Sequence, residues 1–185
     1  MLMCFGGLPG TGKTTLAREI ARQRGATYLR IDRIEQAIRS ALASVEDVGA
    51  MGYEVAYALA ESNLRLGQFV VANSVNPLEL TRSAWRAVAA AASVQIAEIE
   101  VVCSDVREHR RRVENRSNDV PGLAPPTWDE VVRRHYEPWS SSRIVVDTAA
   151  LSTAEAVESL SLEINALFSP ALSPPEPNER IDQPG

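Results

Sequence analysis

An apolar stretch, MLMCF, runs directly into GGLPGTGKTT and then into LAREIARQR. No other part of the chain restricts its fold as strongly. Five apolar residues have the length of a buried strand. The next ten positions hold four glycines and a proline. Residues 13–24 then place Leu16, Ala17, Ile20 and Ala21 on one helical face, and Gly25 stops the pattern. Strand, glycine turn and helix therefore follow one another without a gap. The turn also contains Lys13, the only lysine among 19 basic residues.

The segment Gly7-Leu8-Pro9-Gly10-Thr11-Gly12-Lys13-Thr14 fits G-x-x-x-x-G-K-[ST], the P-loop pattern. Glycines let the backbone curl with its N–H groups inward as an anion nest. The following helix adds the partial positive charge of its N-terminus. Lys13 can reach the β- and γ-phosphates, and Thr14 can present a hydroxyl to Mg²⁺. Arginine's rigid fork suits the interior of such a loop poorly, which accounts for one lysine in an arginine-rich chain. The nucleotide-binding candidates are these eight residues and Thr15.

The remaining sequence alternates short apolar runs with helical patterns. Further strands are expected at 27–31, 69–73, 95–103 and 143–147. Helices are expected over 33–43, 51–66, 78–92 and 128–136, with a last one ending near 167. Thr127 with Glu130, and Ser152 with Glu155, have capping-box spacing. Near-continuous apolar strands separated by helices predict a five-stranded parallel sheet covered on both faces, an α/β three-layer sandwich. Residues 169–185 hold five prolines and few apolar side chains, a composition expected to be disordered. The expected division is a domain over 1–168 and a tail over 169–185.

Candidates for chemistry cluster at the expected strand ends. Asp32, after the second strand, can accept a proton from a substrate hydroxyl; as Asp32-x-x-Glu35 it can equally cap the next helix. Arg33 and Arg39 fit either substrate contact or a solvated helix face. Asn73 stands where a Walker B ATPase carries an acid. Asn73 and Asn76 suit a polar substrate or the turn before Pro77. The run SDVREHRRRVENR, residues 104–116, holds five arginines. On a helix Arg112 and Arg116 share one face and Arg107 and Arg111 another, for a transferring phosphoryl group or for solvent and the neighbouring glutamates. Breakers beside this run suit a mobile lid over about 104–140. Trp128, Tyr136 and Trp139 suit a wall against an acceptor or the packing of a small helix.

Net charge of −5 and a pI near 5.2 give no general footprint of nucleic-acid binding. Cys4 and Cys103 lie in apolar runs, as buried thiols do, and His109 and His135 have no metal-ligand spacing. No apolar run approaches the roughly 20 residues of a membrane span. The glycine loop starts at residue 6, so the expectation is a cytoplasmic chain without a signal peptide.

Taken together, GGLPGTGKTT, LRID, NSVNP followed by TRSAW, CSD-x-x-EHRRRVENR, and PTW followed by YEPW resemble a bacterial family of P-loop kinases, often labelled AAA-family ATP-binding proteins. That family is similar in plan to adenylylsulfate kinase, gluconate kinase, chloramphenicol phosphotransferase, zeta toxins and the kinase domain of polynucleotide kinase. The resemblance covers residues 1 to about 168. It implies a nucleoside/shikimate-kinase-like sheet with ATP and Mg²⁺ at the P-loop and Thr14 on the metal. It implies a hydroxyl-bearing small molecule or nucleotide at Asp32, with Arg33, Asn73 and Asn76 as substrate candidates. It also implies an arginine-rich helical lid, with Arg112 and Arg116 as catalytic candidates beside Lys13 and Asp32, and Arg107 and Arg111 on ATP. Family members commonly carry Asp where this chain has Asn73, a difference that bears on activity and specificity. A 5′-hydroxyl polynucleotide kinase and a non-catalytic ATP-binding regulator are the alternatives.

Overall fold

The computed structural model describes residues 1–42, 48–116 and 120–168. The expected tail, 169–185, lies outside the described residues. Five parallel strands, β1 (Leu2–Gly6), β2 (Thr27–Arg30), β3 (Val70–Asn73), β4 (Ile96–Val102) and β5 (Ile144–Asp147), form one sheet in the order β2-β3-β1-β4-β5. Helices α1 (Lys13–Arg24), α2 (Ile31–Ala41), α3 (Met51–Arg65), α4 (Glu79–Ala91), α5 (Val106–Glu114), α6 (Trp128–Arg133) and α7 (Thr153–Phe168) complete the described elements.

The alternation of side chains along a strand sorts the core into two layers. Met3 and Phe5 of β1 join Val71, Ile99 and Val101 beneath α1 and α7. Leu2 and Cys4 join Val70, Ala72 and Trp85 beneath α3 and α4. Both faces of β1 are thus buried, which is why MLMCF reads as a continuous apolar run. β4 alternates more visibly. Its Glu98 and Glu100 are buried opposite Ile99 and Val101, and each is paired with an arginine, Arg86 and Arg143 respectively. Such buried acids are tolerated because they are paired.

Both capping boxes form. Thr127 Oγ1 accepts from Glu130 N while Glu130 accepts from Thr127 N, and Ser152 with Glu155 repeat the pattern ahead of α7. Asp105 caps α5 by accepting from the backbone of Arg107 and Glu108. Most boundaries fall within one residue of expectation; those of α2 and α6 differ by more. β2 passes into α2 with no loop, so α2 starts two residues earlier than the expected 33, and Asp32 lies inside its first turn. α2 ends at Ala41, two residues before the expected 43, which itself lies outside the described residues. α6 stops at Arg133 rather than 136, because Arg134 turns to an extended conformation and Glu137, before Pro138, is disfavoured in a helix. Among the described residues no helix is long and apolar enough to cross a membrane.

That early exit brings residues 136–139 onto Arg82 of α4. Arg82 has no exposed surface and donates to four backbone carbonyls, those of Asn76, Pro77, Glu137 and Pro138. Its guanidinium carbon lies 4.1 Å from the Trp139 ring centre and 5.2 Å from that of Tyr136. The aromatic residues therefore hold a structural arginine. Arg82→Met should leave these carbonyls without partners and lower stability by about 3 kcal/mol, a loss that urea denaturation would measure.

Candidate functional site

The P-loop closes over the carboxyl end of β1, next to the point where the sheet order reverses. Gly7 has a φ of 137°, and a Cβ there would overlap the Val101 carbonyl oxygen. Gly7 N donates to Val75 O at 3.0 Å, and Thr11 Oγ1 donates to Leu8 O at 2.9 Å. Gly10, at a φ of 86°, lies against Val113 and His109 of α5. His109 Nε2 is 2.8 Å from Pro9 O; a carbonyl only accepts, so this nitrogen carries the proton. The edge of Trp128 meets the His109 ring at 5.2 Å and ties α6 to the same support.

The loop opens on a cleft of about 1100 Å³. Lys13 and Thr14 line it at the start of α1, and Asp32 faces it from α2. Lys13 is half-buried and donates to Leu8 O at 3.2 Å. Burial, then repulsion from Arg116, lowers its ammonium to about 7; the charge of Asp32 works in the other direction. Asp32 is gripped in a fork by Arg30, with Nε 2.6 Å from Oδ1 and Nη2 2.9 Å from Oδ2. Arg30 occupies the cap position of α2, and no side-chain cap bond is made there. Of the two roles open to Asp32, capping is therefore not the one the structure shows.

Asn73 ends β3 directly beside the P-loop helix. Its Nδ2 donates to Thr14 Oγ1 at 3.2 Å and to Tyr28 OH at 2.8 Å. Asn73 Oδ1 is buried without a partner. Among the described residues no three acidic, histidine or cysteine side chains converge to hold a metal unaided. The donors present, one hydroxyl and one orphaned amide oxygen, fit an ion that brings most of its ligands with a phosphate chain, as Mg²⁺ does.

The α5 arginines divide by position. Arg112 donates through Nε to Glu108, through Nη1 to Thr148 Oγ1 at 2.7 Å and through Nη2 to Thr148 O at 3.0 Å. Thr148 Oγ1 in turn donates to Thr11 O at 2.8 Å, which links α5 to the loop through β5's end. Arg111 pairs with Glu108, and hydrogen bonds from both arginines pull the Glu108 carboxyl down to about 2. Arg111, Arg112, Thr148 and Leu151 line a second recess of about 390 Å³ beside Gly12 and Thr15. Arg116 lines the main cleft, while Arg107 is exposed and lines neither.

The other candidates lie apart. Arg33 is exposed on the outer side of α2. Asn76 is buried in a left-handed turn, its Oδ1 accepting from Thr81 Oγ1, outside the cleft lining. Arg30, Thr148, Tyr28 and Arg134 were not evident as site residues from the sequence. Arg30 had one signal, its place two residues before Asp32 at a strand end. A threonine after a strand carries no distinguishing mark.

A family model described as AAA domain matches residues 2–138. Solved structures share the fold. A gluconokinase from Sinorhizobium meliloti 1021 is 17% identical with a TM-score of 0.60, covering 90% of this chain and 94% of its own. Kti12 from Chaetomium thermophilum, solved with ADP-AlF3, is 20% identical with a TM-score of 0.63, covering 91% and 100%. The Mycobacterium tuberculosis APS kinase CysC, solved with AMPPNP and APS, is 18% identical with a TM-score of 0.58, covering 91% and 97%. No curated protein matches the chain.

The state of Lys13 yields a prediction. In the empty loop it titrates near 7, and bound phosphates favour its charged form and raise that value. Nucleotide binding should therefore take up a proton above about pH 7, and affinity should fall as pH rises through that range. Calorimetric titration of AMPPNP·Mg²⁺ at pH 8, in buffers of different ionisation enthalpy, should show the uptake, and it should vanish near pH 6.

Proposed function

The chain belongs to the AAA domain family, and from that premise we propose that it is an ATP-dependent phosphotransferase with a hydroxyl acceptor. The observation that carries this reading is the convergence of Lys13, Thr14 and Asp32 on one cleft at the mouth of the loop. ATP takes its phosphates on the backbone of residues 7–15. Its base enters the smaller recess, where each nitrogen of Arg112 already makes a hydrogen bond to Glu108 or Thr148 and the guanidinium face is left for stacking. Arg112 thus holds the base, and Arg116 is the arginine placed for charge at the γ-phosphate.

Thr14 and Asn73 would hold Mg²⁺, which neutralises phosphate charge when bound. Lys13 contacts the β- and γ-oxygens. Asp32, fixed by Arg30, accepts the hydrogen bond of the acceptor hydroxyl and orients it in line with the γ-phosphorus. The acceptor oxygen forms a bond to that phosphorus as the bond to the β–γ bridging oxygen breaks. The hydroxyl proton passes to Asp32 and then to water, and ADP leaves.

A binding-only reading rests on Asn73, an uncharged residue bonded to Thr14. Transfer from γ-labelled ATP separates the two. Lys13→Ala should remove transfer while the protein stays folded. Asp32→Asn should lower kcat by about 10²–10⁴ with little change in nucleotide affinity. Tight nucleotide binding with no transfer to any acceptor, even after Asn73→Asp, would favour the binding module.

A further inference from the structure

Helix α3 has a face that the proposed reaction does not use. A surface helix normally buries one apolar stripe and shows water a polar face. α3 buries Ala56, Ala60 and Leu64 in the core layer beneath it. Its opposite side presents Met51, Val55, Ala58, Leu59, Ser62 and Leu66, all within an arc of about 100° around the helix axis. Met51, Val55 and Leu59 are 41%, 41% and 44% exposed, and Leu66, at the C-cap, is 75% exposed. Only Glu54, Glu61 and Arg65 are charged among the 15 residues of the helix. The exposed positions of α1, by contrast, include Arg18, Arg22 and Gln23. A helix that is apolar on both sides is suited to being covered on both.

The charges indicate what covers the outer side. Glu54 lies in the first turn of α3 and Arg65 in the last, and both flank the apolar arc on the same edge. A two-fold axis that runs between two copies of the helix and crosses them at right angles reverses their direction and lays like edge beside like edge. With that axis between Ala58 and Leu59, Met51 meets Leu66 of the second copy and Val55 meets its Ser62. The small Ala58 beside the axis lets the helices close to about 8–10 Å. Glu54 lies about 7 Å before the axis and Arg65 about 10 Å beyond it, so Glu54 and the second copy's Arg65 differ in height by about 3 Å. The arginine side chain spans that offset. Arg65 gives Nε and Nη2 to Glu61 Oε1, which leaves Nη1 for a second carboxylate. Symmetry forms this ion pair twice. A parallel arrangement would set glutamate on glutamate and arginine on arginine.

We propose that the outer face of α3 is the docking surface for a second copy of this chain, α3 packing antiparallel on α3 about a two-fold axis. The apolar arc supplies the contact, and the Glu54–Arg65 pairs set its direction.

Sedimentation velocity of the full chain from about 1 μM to about 500 μM tests this, with circular dichroism to confirm that each variant is folded. A monomer–dimer equilibrium is expected. Leu59→Glu places a carboxylate at the centre of the contact and should raise the dimer dissociation constant at least about tenfold. Glu54→Arg and Arg65→Glu each set like charges opposite one another and should weaken the dimer to a similar degree. Mixed in equal amounts, these two variants should associate again, because both pairs in the mixed dimer are opposite in sign. None of the three positions lines the cleft, so nucleotide binding is left out of the comparison. A chain that stays monomeric over the whole range overturns the proposal, whatever other protein might dock on α3. A dimer unaffected by Leu59→Glu has its interface elsewhere and overturns it as well. A dimer weakened by all three substitutions but not restored by mixing overturns the antiparallel pairing and with it the proposal.

Discussion

At Gly7 and Gly10 the turn between β1 and α1 has space only for bare backbone, and the rest of the site is arranged around that fact. Gly7 lies against the Val101 carbonyl of β4, and Gly10 against Val113 and His109 of α5. Three separate elements hold the loop: the β3 end through Val75 O, α5 through His109, and the β5 end through Thr148. A loop held this way before a ligand arrives spends little ordering entropy on binding. The low titration of Lys13 follows from the same enclosure: burial that shapes the cradle also removes water from its only lysine.

Asp32 shows a second use of a tight junction. β2 turns into α2 without a loop, so Arg30 and Asp32 stand two residues apart across the strand–helix boundary. The fork between them fixes a carboxylate that would otherwise rotate freely on a helix surface. Arg30 is itself buried, so the pair is anchored to the sheet rather than to solvent. Under the proposed reaction Arg30 is a positioning residue, and its removal would free Asp32 to leave the in-line geometry.

Local signals in the sequence were legible wherever the neighbours in space are also neighbours in the chain. The P-loop pattern, the face of α1, and the Thr127 and Ser152 capping boxes depend on residues within four positions, and all appear where expected. The two-sided burial of β1 was readable because a parallel strand needs apolar side chains on both faces. What was not legible depends on distant pairings. Arg82 is bonded to carbonyls up to 56 residues away. Thr148 meets Thr11 across 137 positions. The arginine run of α5 showed that cations gather there. Only Glu108 and Thr148 show which of them, Arg112, is held between the recess and the cleft, while Arg116 lines the cleft alone.

The central claim is that the loop's backbone shape, more than any one side chain, makes the phosphate site. Calorimetric titration of AMPPNP·Mg²⁺ into Gly7→Ala tests it most directly, with circular dichroism to confirm that the variant is folded. The expected result is saturable binding to the native chain and loss of at least about 100-fold in affinity in the folded variant. A folded Gly7→Ala protein that binds with native affinity would contradict the claim.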